Sequence, residues 1–526
     1  MKTRQKSERS KVPKSGRKPE ARGGNEPTSI GTAAPVKQRT WQLGLPLGTA
    51  EERTAQAVLV DDGMAAGLSV AEPRATPKPR GNEKKATTAT MEEVCGRLTL
   101  AFQKVASNKG APGPDGQTVD EVRKHWSTIR PTLATALMTE TYEPGNIRRV
   151  WIPKSDGSKR GLGIPDVVDR VVQEATRQVL EPVFEPTFHD GSHGFRSGRS
   201  CHTAIAAARE YVNEGYEWVV DIDLEKFFDK VNHQRLMARL ARRVGDRRLL
   251  VLIGRMLKAH VVMPDGVLVR TDEGVPQGGP LSPLLSNIVL SELDEELAER
   301  GHRFVRYADD CNIYVRSERA GARVMASVKD FIERRLRLKV NADKSAVARP
   351  EERHFLGFRL KPKVEVGETE VLLSKRSLKR IDEKIREMTP RTWGRSLIDC
   401  IQTLNVYLVG WMGFFGICTG GEEQTLNGLD ARIRRRLRAI QLAHWKTKRT
   451  IVRRLKHLGV KHTQAYKDIY GGQKSRWALS HVYAVDRGGL PNAYFAKLGL
   501  FSLLGAWNKR TRPVVAPVAQ LRLPWG

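Results

Sequence analysis

Two adjacent aspartates, Asp309 and Asp310, stand in the middle of Phe304-Val305-Arg306-Tyr307-Ala308-Asp309-Asp310-Cys311-Asn312-Ile313-Tyr314-Val315. Apolar and polar residues roughly alternate on both sides, which predicts two short strands and a tight turn with the carboxylates at its tip. Neighbouring acids repel, so a fold gains little from the pair unless a cation comes between them. A hard divalent ion such as Mg²⁺ suits carboxylate oxygens, although a solvated acidic turn would use the same two residues. A third carboxylate in a similar setting separates these readings. Residues 217–229 form a short apolar strand that runs into a helix, and Asp221 and Asp223 share one face of it because side chains alternate with period two. Either could meet the Asp309-Asp310 turn across neighbouring strands. Acids at a helix N-terminus would also account for them.

Three further stretches carry chemistry. Arg148 to Pro165 predicts a hairpin turning at Ser155-Asp156-Gly157-Ser158, with Lys154 and Arg160 near one another and able to grip a triphosphate. Asp190 to Ser200 is a loop of glycines, arginines and one phenylalanine, suited to contact with a nucleic-acid backbone. Its His193 has no matched ligand partners, so it is not expected to bind metal. In Gly274-Val275-Pro276-Gln277-Gly278-Gly279-Pro280-Leu281-Ser282-Pro283 two adjacent glycines would let the backbone approach a base or sugar closely.

The elements that must position these groups follow from periodicity and capping signals. Thr90 and Glu93 have capping-box spacing ahead of a Val94, Leu98, Ala101, Val105 stripe. Helices are expected over about 120–138, 166–180, 234–244, 247–259, 284–300 and 320–337, with a strand at His354 to Phe358. From Ser374 the pattern turns helical, with stripes at Leu378, Ile381, Ile385, Met388 and at Leu397, Ile401, Leu404, Leu408. Between Asp430 and Asp468 no acid occurs, whereas arginines and lysines accumulate. Ile433, Leu437, Ile440 and Leu442 would bury one face there and leave the cations outside. A solvated helix normally mixes both signs, so this run reads as a phosphate-binding surface.

Composition agrees with a polyanionic partner. The 526 residues carry 90 Lys+Arg against 59 Asp+Glu, a formal net charge of +31. No apolar run approaches the roughly 20 residues needed to span a bilayer, and the basic N-terminus lacks the apolar core of a signal peptide. A soluble, cytoplasmic protein that does not engage membranes is expected. The 5 cysteines are scattered without paired C-x-x-C spacing, against a zinc module or a disulfide framework.

Taken in order, Asp223 before Phe227-Phe228-Asp229, then Pro276 to Pro283, then Tyr307-Ala308-Asp309-Asp310 resemble the reverse-transcriptase blocks of group II intron-encoded maturases. The resemblance covers about residues 92–510. It implies an α+β right-hand polymerase, with fingers and an antiparallel palm sheet, followed by an α-helical thumb/maturase domain. The expected divisions are a disordered basic arm (1–86), fingers and palm (87–365), thumb and maturase (366–461) and a C-terminal nucleic-acid-contacting region (462–526). Asp223, Asp309 and Asp310 match the catalytic acids, with Asp221 the second choice for the first of them. Two Mg²⁺ ions are implied, and Ile222 joins the three aspartates in the expected metal set. For the incoming nucleotide the resemblance points to Lys154, Arg160, Phe228 and Gln277. For template and primer it points to His193, Phe195, Arg196, Gly278 and Gly279. For RNA the expected residues are Arg434, Arg435, Arg436, Arg438, Lys446, Lys448, Arg449, Arg453 and Arg454. The implied partners are dNTPs, an RNA template with DNA primer, group II intron RNA and target DNA, in a bacterial nucleoid or ribonucleoprotein setting. A splicing cofactor without polymerisation, or a reverse transcriptase of a retron, diversity-generating or CRISPR-associated system, are the alternatives.

Overall fold

A helix beginning where Thr90 accepts a hydrogen bond from the Glu93 N–H opens the described chain. The computed structural model describes residues 89–153, 157, 159–362, 368–390, 392–472 and 474–511, all within one unit of the chain, 60–526. The expected basic arm over 1–86 and Lys154 lie outside the described residues.

The first third supplies α1 (Met91–Ser107), α2 (Val119–Lys124), α3 (Trp126–Met138), β1 (Ile147–Pro153), β2 (Lys159–Ile164) and α4 (Val167–Phe184). The single helix expected over 120–138 is two. His125 leaves helical geometry (φ −107°, ψ 10°), and its imidazole bonds the Glu121 carbonyl at 3.0 Å. The palm and its flanks follow as α5 (Cys201–Asn213), β3 (Trp218–Ile222), α6 (Phe227–Lys230), α7 (His233–Ala241), α8 (Arg247–Leu257), β4 (Val261–Val262), β5 (Leu268–Val269), α9 (Ser282–Glu299), β6 (Arg303–Tyr307), β7 (Asp310–Val315), α10 (Glu318–Phe331) and β8 (Ala346–Ala348). Next come β9 (Phe358–Lys361) and β10 (Glu370–Leu373), an antiparallel hairpin. The strand expected at His354 to Phe358 is a turn instead, because Leu356 (φ 50°) and Gly357 (φ 95°) reverse the chain before β9 begins.

Two four-stranded sheets result. The fingers sheet has order β2-β1-β4-β5, and the antiparallel palm sheet β6-β7-β3-β8. Val219 and Val220 of β3 and Ile313 of β7 are buried between the palm sheet and its helices. Beyond β10 the chain is helical: α11 (Lys375–Met388), α12 (Leu397–Phe415), α13 (Glu423–His444), α14 (Lys448–His457), α15 (His462–Tyr470), α16 (Arg476–Leu479), α17 (Asn492–Lys497) and α18 (Leu503–Thr511). The fold is α+β with a helical C-terminal region. Ile381, Ile385, Leu404, Leu408, Ile433 and Leu437 form its continuous core. One expectation changes here: the 19 residues of α12 are long and apolar enough, by length and composition, to cross a membrane. Its Leu397, Ile401, Leu404, Leu408 and Trp411 stripe is packed into the helical core, as in the central helix of a bundle.

Candidate active site

Strand β3 lies between β7 and β8, with Asp221 opposite Asn312 and Ile222 opposite Cys311. That register brings Asp223, one residue beyond β3, beside the β6–β7 turn made by Ala308 and Asp309. Asp223, Asp309 and Asp310 line one cleft of about 2030 Å³. Asp221 does not share their situation: Arg353 grips its carboxylate from Nε at 2.9 Å and Nη2 at 2.6 Å. The structure thus separates two acids that period-two alternation had left equivalent. Asp223 donates its N–H to Ser345 Oγ at 3.0 Å, and its carboxylate faces Lys344 Nζ at 3.8 Å.

The electrostatics record crowding. Burial and the Asp223 charge raise the Asp309 carboxyl above its ordinary range, with Arg160 pulling the other way. Asp310 is pushed up to about 7 by the surrounding protein and by Asp309, Asp221 and Asp223, although its side chain opens onto the cleft, where water tempers the effect. Mutually repelling acids around one cleft suit a divalent cation. Among the described residues, however, no three carboxylates, imidazoles or thiolates are gathered closely enough to close around an ion. The expected set of Asp223, Ile222, Asp309 and Asp310 is therefore not a preformed cage. Ile222 is aliphatic and buried in the sheet, so only its carbonyl could serve. Mg²⁺ commonly takes one or two carboxylates and fills its remaining positions with water and substrate phosphates, which the cleft leaves open.

Arg160, Phe228 and Gln277 line the same cleft. Phe228 meets Phe227 edge to face at 5.2 Å and is held by its own carbonyl, which accepts from Val275 N–H at 2.6 Å. Gln277 is tied to the fingers by its carbonyl, which accepts from Gly163 N–H at 2.6 Å. The glycines after it need correction. A Cβ on Gly278 (φ 118°) would lie 2.4 Å from the Gly163 carbonyl oxygen, and one on Gly279 would lie 2.2 Å from Gln173 Oε1. Their close approach is to the protein's own β2 and α4 rather than to a base or sugar.

The loop after α4 also turns inward. His193 is buried with Nδ1 2.9 Å from Thr203 Oγ1, and burial together with Arg199 and Arg196 lowers its imidazole to about 4. Arg196 is buried too, donating to Glu185, the His189 carbonyl and the Ser192 carbonyl at 2.9, 2.7 and 2.8 Å. Neither reaches the cleft, so the expected template contacts there are reduced to Phe195, exposed on the cleft wall. The loop instead lies along β6: Arg306 N–H donates to Gly191, and His193 N–H to Arg306. Gly194 is pressed against the turn so closely that a Cβ would fall 2.3 Å from Ala308 N.

Behind the turn lies a group that sequence reasoning missed. Arg306, fully buried, donates Nε and Nη2 to Asp294 at 2.7 and 2.5 Å, Nη1 to Asn287 at 3.1 Å and to the Ala308 carbonyl at 2.8 Å, and Nη2 to Ser192 at 2.7 Å. Asn287 returns a bond to the Gly194 carbonyl at 2.8 Å. Arg306 thereby fixes the backbone immediately before Asp309. The available signal was an arginine at an inward position of a strand opposite an acid on α9.

With this geometry in place, comparison with known proteins decides the family. Residues 152–360 match the reverse transcriptase (RNA-dependent DNA polymerase) family, and residues 378–459 the group II intron maturase-specific domain. Over 305 residues, 50% of this chain and 80% of the relative, the chain is 34% identical to protein YkfC of Escherichia coli. It belongs to the group II intron reverse transcriptase/maturase family. It is also 37% identical over 215 residues to group II intron-encoded protein LtrA of Lactococcus lactis, 39% of this chain and 34% of LtrA. With nuclear intron maturase 4, mitochondrial, of Arabidopsis thaliana it shares 36% identity over 144 residues, 27% of this chain and 18% of the relative. The chain thus spans most of YkfC but about a third of LtrA.

In the reverse transcriptase/maturase, the basic helices divide into two kinds of arginine. Ile433, Leu437, Ile440 and Leu442 are buried as their spacing predicts. Arg438 is a correction: it is buried, paired with Asp486 at 2.8 Å and donating to the Leu490 carbonyl at 2.9 Å, because α13 is covered on that side by the following turns. Arg436 bonds Thr389 and the Arg386 carbonyl, joining α13 to α11. Arg434 is half-buried, and Arg435 lies 4.2 Å over the Trp477 ring. Lys446, Arg449, Arg453 and Arg454 are exposed and Lys448 half-exposed. Of the expected RNA-binding residues, this second group is the one directed to solvent.

Proposed function

We propose that this member of the family is a working RNA-directed DNA polymerase that acts on group II intron RNA in a bacterial ribonucleoprotein, with Asp223 and Asp309 as its metal-holding acids. The observation that carries the reading is the convergence of Asp223, Asp309 and Asp310 on one cleft, where burial and the neighbouring acids raise the Asp309 and Asp310 carboxyls above their ordinary range. Two Mg²⁺ ions held there would supply charge for ionising a primer 3′-hydroxyl and stabilising pyrophosphate. Arg160 faces the same cleft, where it can neutralise a dNTP triphosphate. Phe228, on the wall of the same cleft, would rest against the deoxyribose and disfavour a 2′-hydroxyl. Gln277, anchored to β2 in the same cleft, would contact the incoming nucleotide. Lys344, close to Asp223, partly balances that carboxylate before substrate arrives. Outside the cleft, Lys446, Lys448, Arg449, Arg453 and Arg454 present a cationic surface to intron RNA. Target DNA then serves as primer.

Purified protein should extend a DNA primer on an RNA template with Mg²⁺. Asp309→Asn should lower the rate by about 10²–10³ or more, the usual scale for losing a group that stabilises transition-state charge. Extension by Asp309→Asn at the unaltered rate would overturn the assignment.

A further inference from the structure

Helix α15 presents an inverted face. It buries Ala465 and Ile469 completely, while His462, Tyr466 and Tyr470, spaced four residues apart on one stripe, are exposed, Tyr466 to 53% and Tyr470 to 39%. Burying a large aromatic ring is strongly favourable, so an amphipathic helix would ordinarily place its rings inside and its alanine outside. The rings do not stand singly. Tyr466 and Tyr470 are stacked with centroids 4.6 Å apart and planes 22° from parallel, and His462 follows at 6.1 Å. Lys448, from the neighbouring α14, lies 5.5 Å from the centre of the Tyr470 ring and is tied to the Gly472 carbonyl at 3.3 Å. The result is an outward aromatic column with an ammonium against Tyr470 and an exposed imidazole beside Tyr466.

The setting is cationic. Exposed Lys461 immediately precedes α15 and exposed Lys467 lies on it, and exposed Arg453 and Arg454 lie on the packed α14. No acid occurs from 431 to 467. Asp468, on the same helix, is committed inward, accepting from Gln464 at 3.0 Å and from the Ala484 N–H at 2.7 Å. Rings that stack without sequence preference beside cations that track a phosphate chain are the two components of single-strand nucleic-acid binding. A continuous duplex stacks its bases on one another and offers its sides to a protein, so it has little use for an exposed column of rings. The column lies beyond residue 459, where the match to the maturase-specific domain ends.

We propose that His462, Tyr466 and Tyr470 form a stacking site for unpaired bases of RNA, with Lys448 and Lys467 holding the adjacent phosphates. The proposal rests on the nucleic-acid reading above and adds the class of structure recognised: an unpaired loop or strand rather than a helix. The imidazole end continues the column onto the first base.

The test is binding of a short unstructured RNA of mixed sequence to the full-length protein, followed by fluorescence anisotropy over a salt series. Replacing both tyrosines, Tyr466→Leu with Tyr470→Leu, should weaken binding about tenfold at every salt concentration, within the range for losing base stacking. The slope of log affinity against log salt should stay the same, because no phosphate contact is removed. Lys448→Gln should instead make that slope shallower. Phenylalanine at both tyrosine positions should bind like the unaltered protein, since stacking needs the ring and not the hydroxyl. Affinity for a blunt RNA duplex should be the same in the double leucine variant, which also reports that the variant is folded. Unchanged binding of unstructured RNA, or equal losses on single strand and duplex, would overturn the proposal. Both outcomes are independent of the polymerase reading, which primer extension by the unaltered protein decides.

Discussion

Behind the β6–β7 turn, the Arg306 guanidinium is dry and every neighbour is a partner: Asp294, Asn287, Ser192 and the Ala308 carbonyl. In front of the same turn, Asp223, Asp309 and Asp310 share a cleft whose walls also carry Arg160 and Lys344, yet burial and mutual repulsion push Asp309 and Asp310 toward protonation. One turn thus separates charge that is satisfied by the protein from charge left for something else to satisfy. A buried ion pair gives little net stability against an apolar substitute, but removing one member strands the other. The rear network is best understood as a device that fixes geometry, holding the Ala308 carbonyl so that Asp309 cannot drift from Asp223. Repulsion in front would otherwise push the acids apart.

That contrast can be broken from either side. The largest effect should come from Arg306→Leu, which leaves Asp294 buried and unpaired and should destabilise the fold by roughly 3–5 kcal/mol in chemical denaturation. Replacing both partners, Arg306→Leu with Asp294→Leu, should recover most of the stability but not primer extension, because the Ala308 carbonyl and Ser192 still lack their donor. Full recovery of both would show that the network does not position the turn. Next is Gly194→Ala. Its methyl would press on Ala308 N and on the Tyr307 and Ala308 backbone, so the hairpin itself must move. A loss of about 1–3 kcal/mol is expected from such overpacking, with kcat falling more than KM rises. Unchanged kinetics would mean that the loop from Gly191 to Gly194, read as a buttress of the turn, transmits nothing to Asp309.

The smallest effect belongs to the front. The Asp310 carboxyl, ordinarily near 3.8, is held at about 7 in the folded protein, so the folded state keeps a proton that the unfolded chain releases. Its contribution to stability is full below about 4 and is lost as pH rises through about 7. In metal-free buffer, Asp310→Asn should flatten that decline in thermal melts. Identical pH slopes for the two proteins would show that the crowding of acids does not reach Asp310.

Arginines repeat the lesson on a larger scale. Arg196 and Arg438 lie in stretches whose composition points to nucleic acid, yet both are buried and paired. Arg453 and Arg454, in an equally basic stretch, are exposed. Composition reports how many cations a segment carries, whereas their direction depends on whether a carboxylate or carbonyl waits on the inner side. For Arg196 that partner is Glu185 across the loop; for Arg438 it is Asp486, brought back over α13 by the turns after α16.

Much of the fold was legible in local pattern. Alternation around Asp309-Asp310 predicted the hairpin, Thr90 and Ser374 cap the helices expected after them, and the aliphatic stripe of α13 is buried. These features depend on neighbours within a few residues, which periodicity and capping report directly. The same alternation put Asp221 and Asp223 on one face and could not choose between them. That choice came from Arg353, 132 residues later, closing on Asp221 and leaving Asp223 to the cleft. The sequence by itself determined which acids were available, on which elements, and that the protein would meet a polyanion. Only the tertiary structure decided which charges are neutralised inside and which remain open to a ligand, because charge pairing acts through space between residues whose separation along the chain carries no local signal.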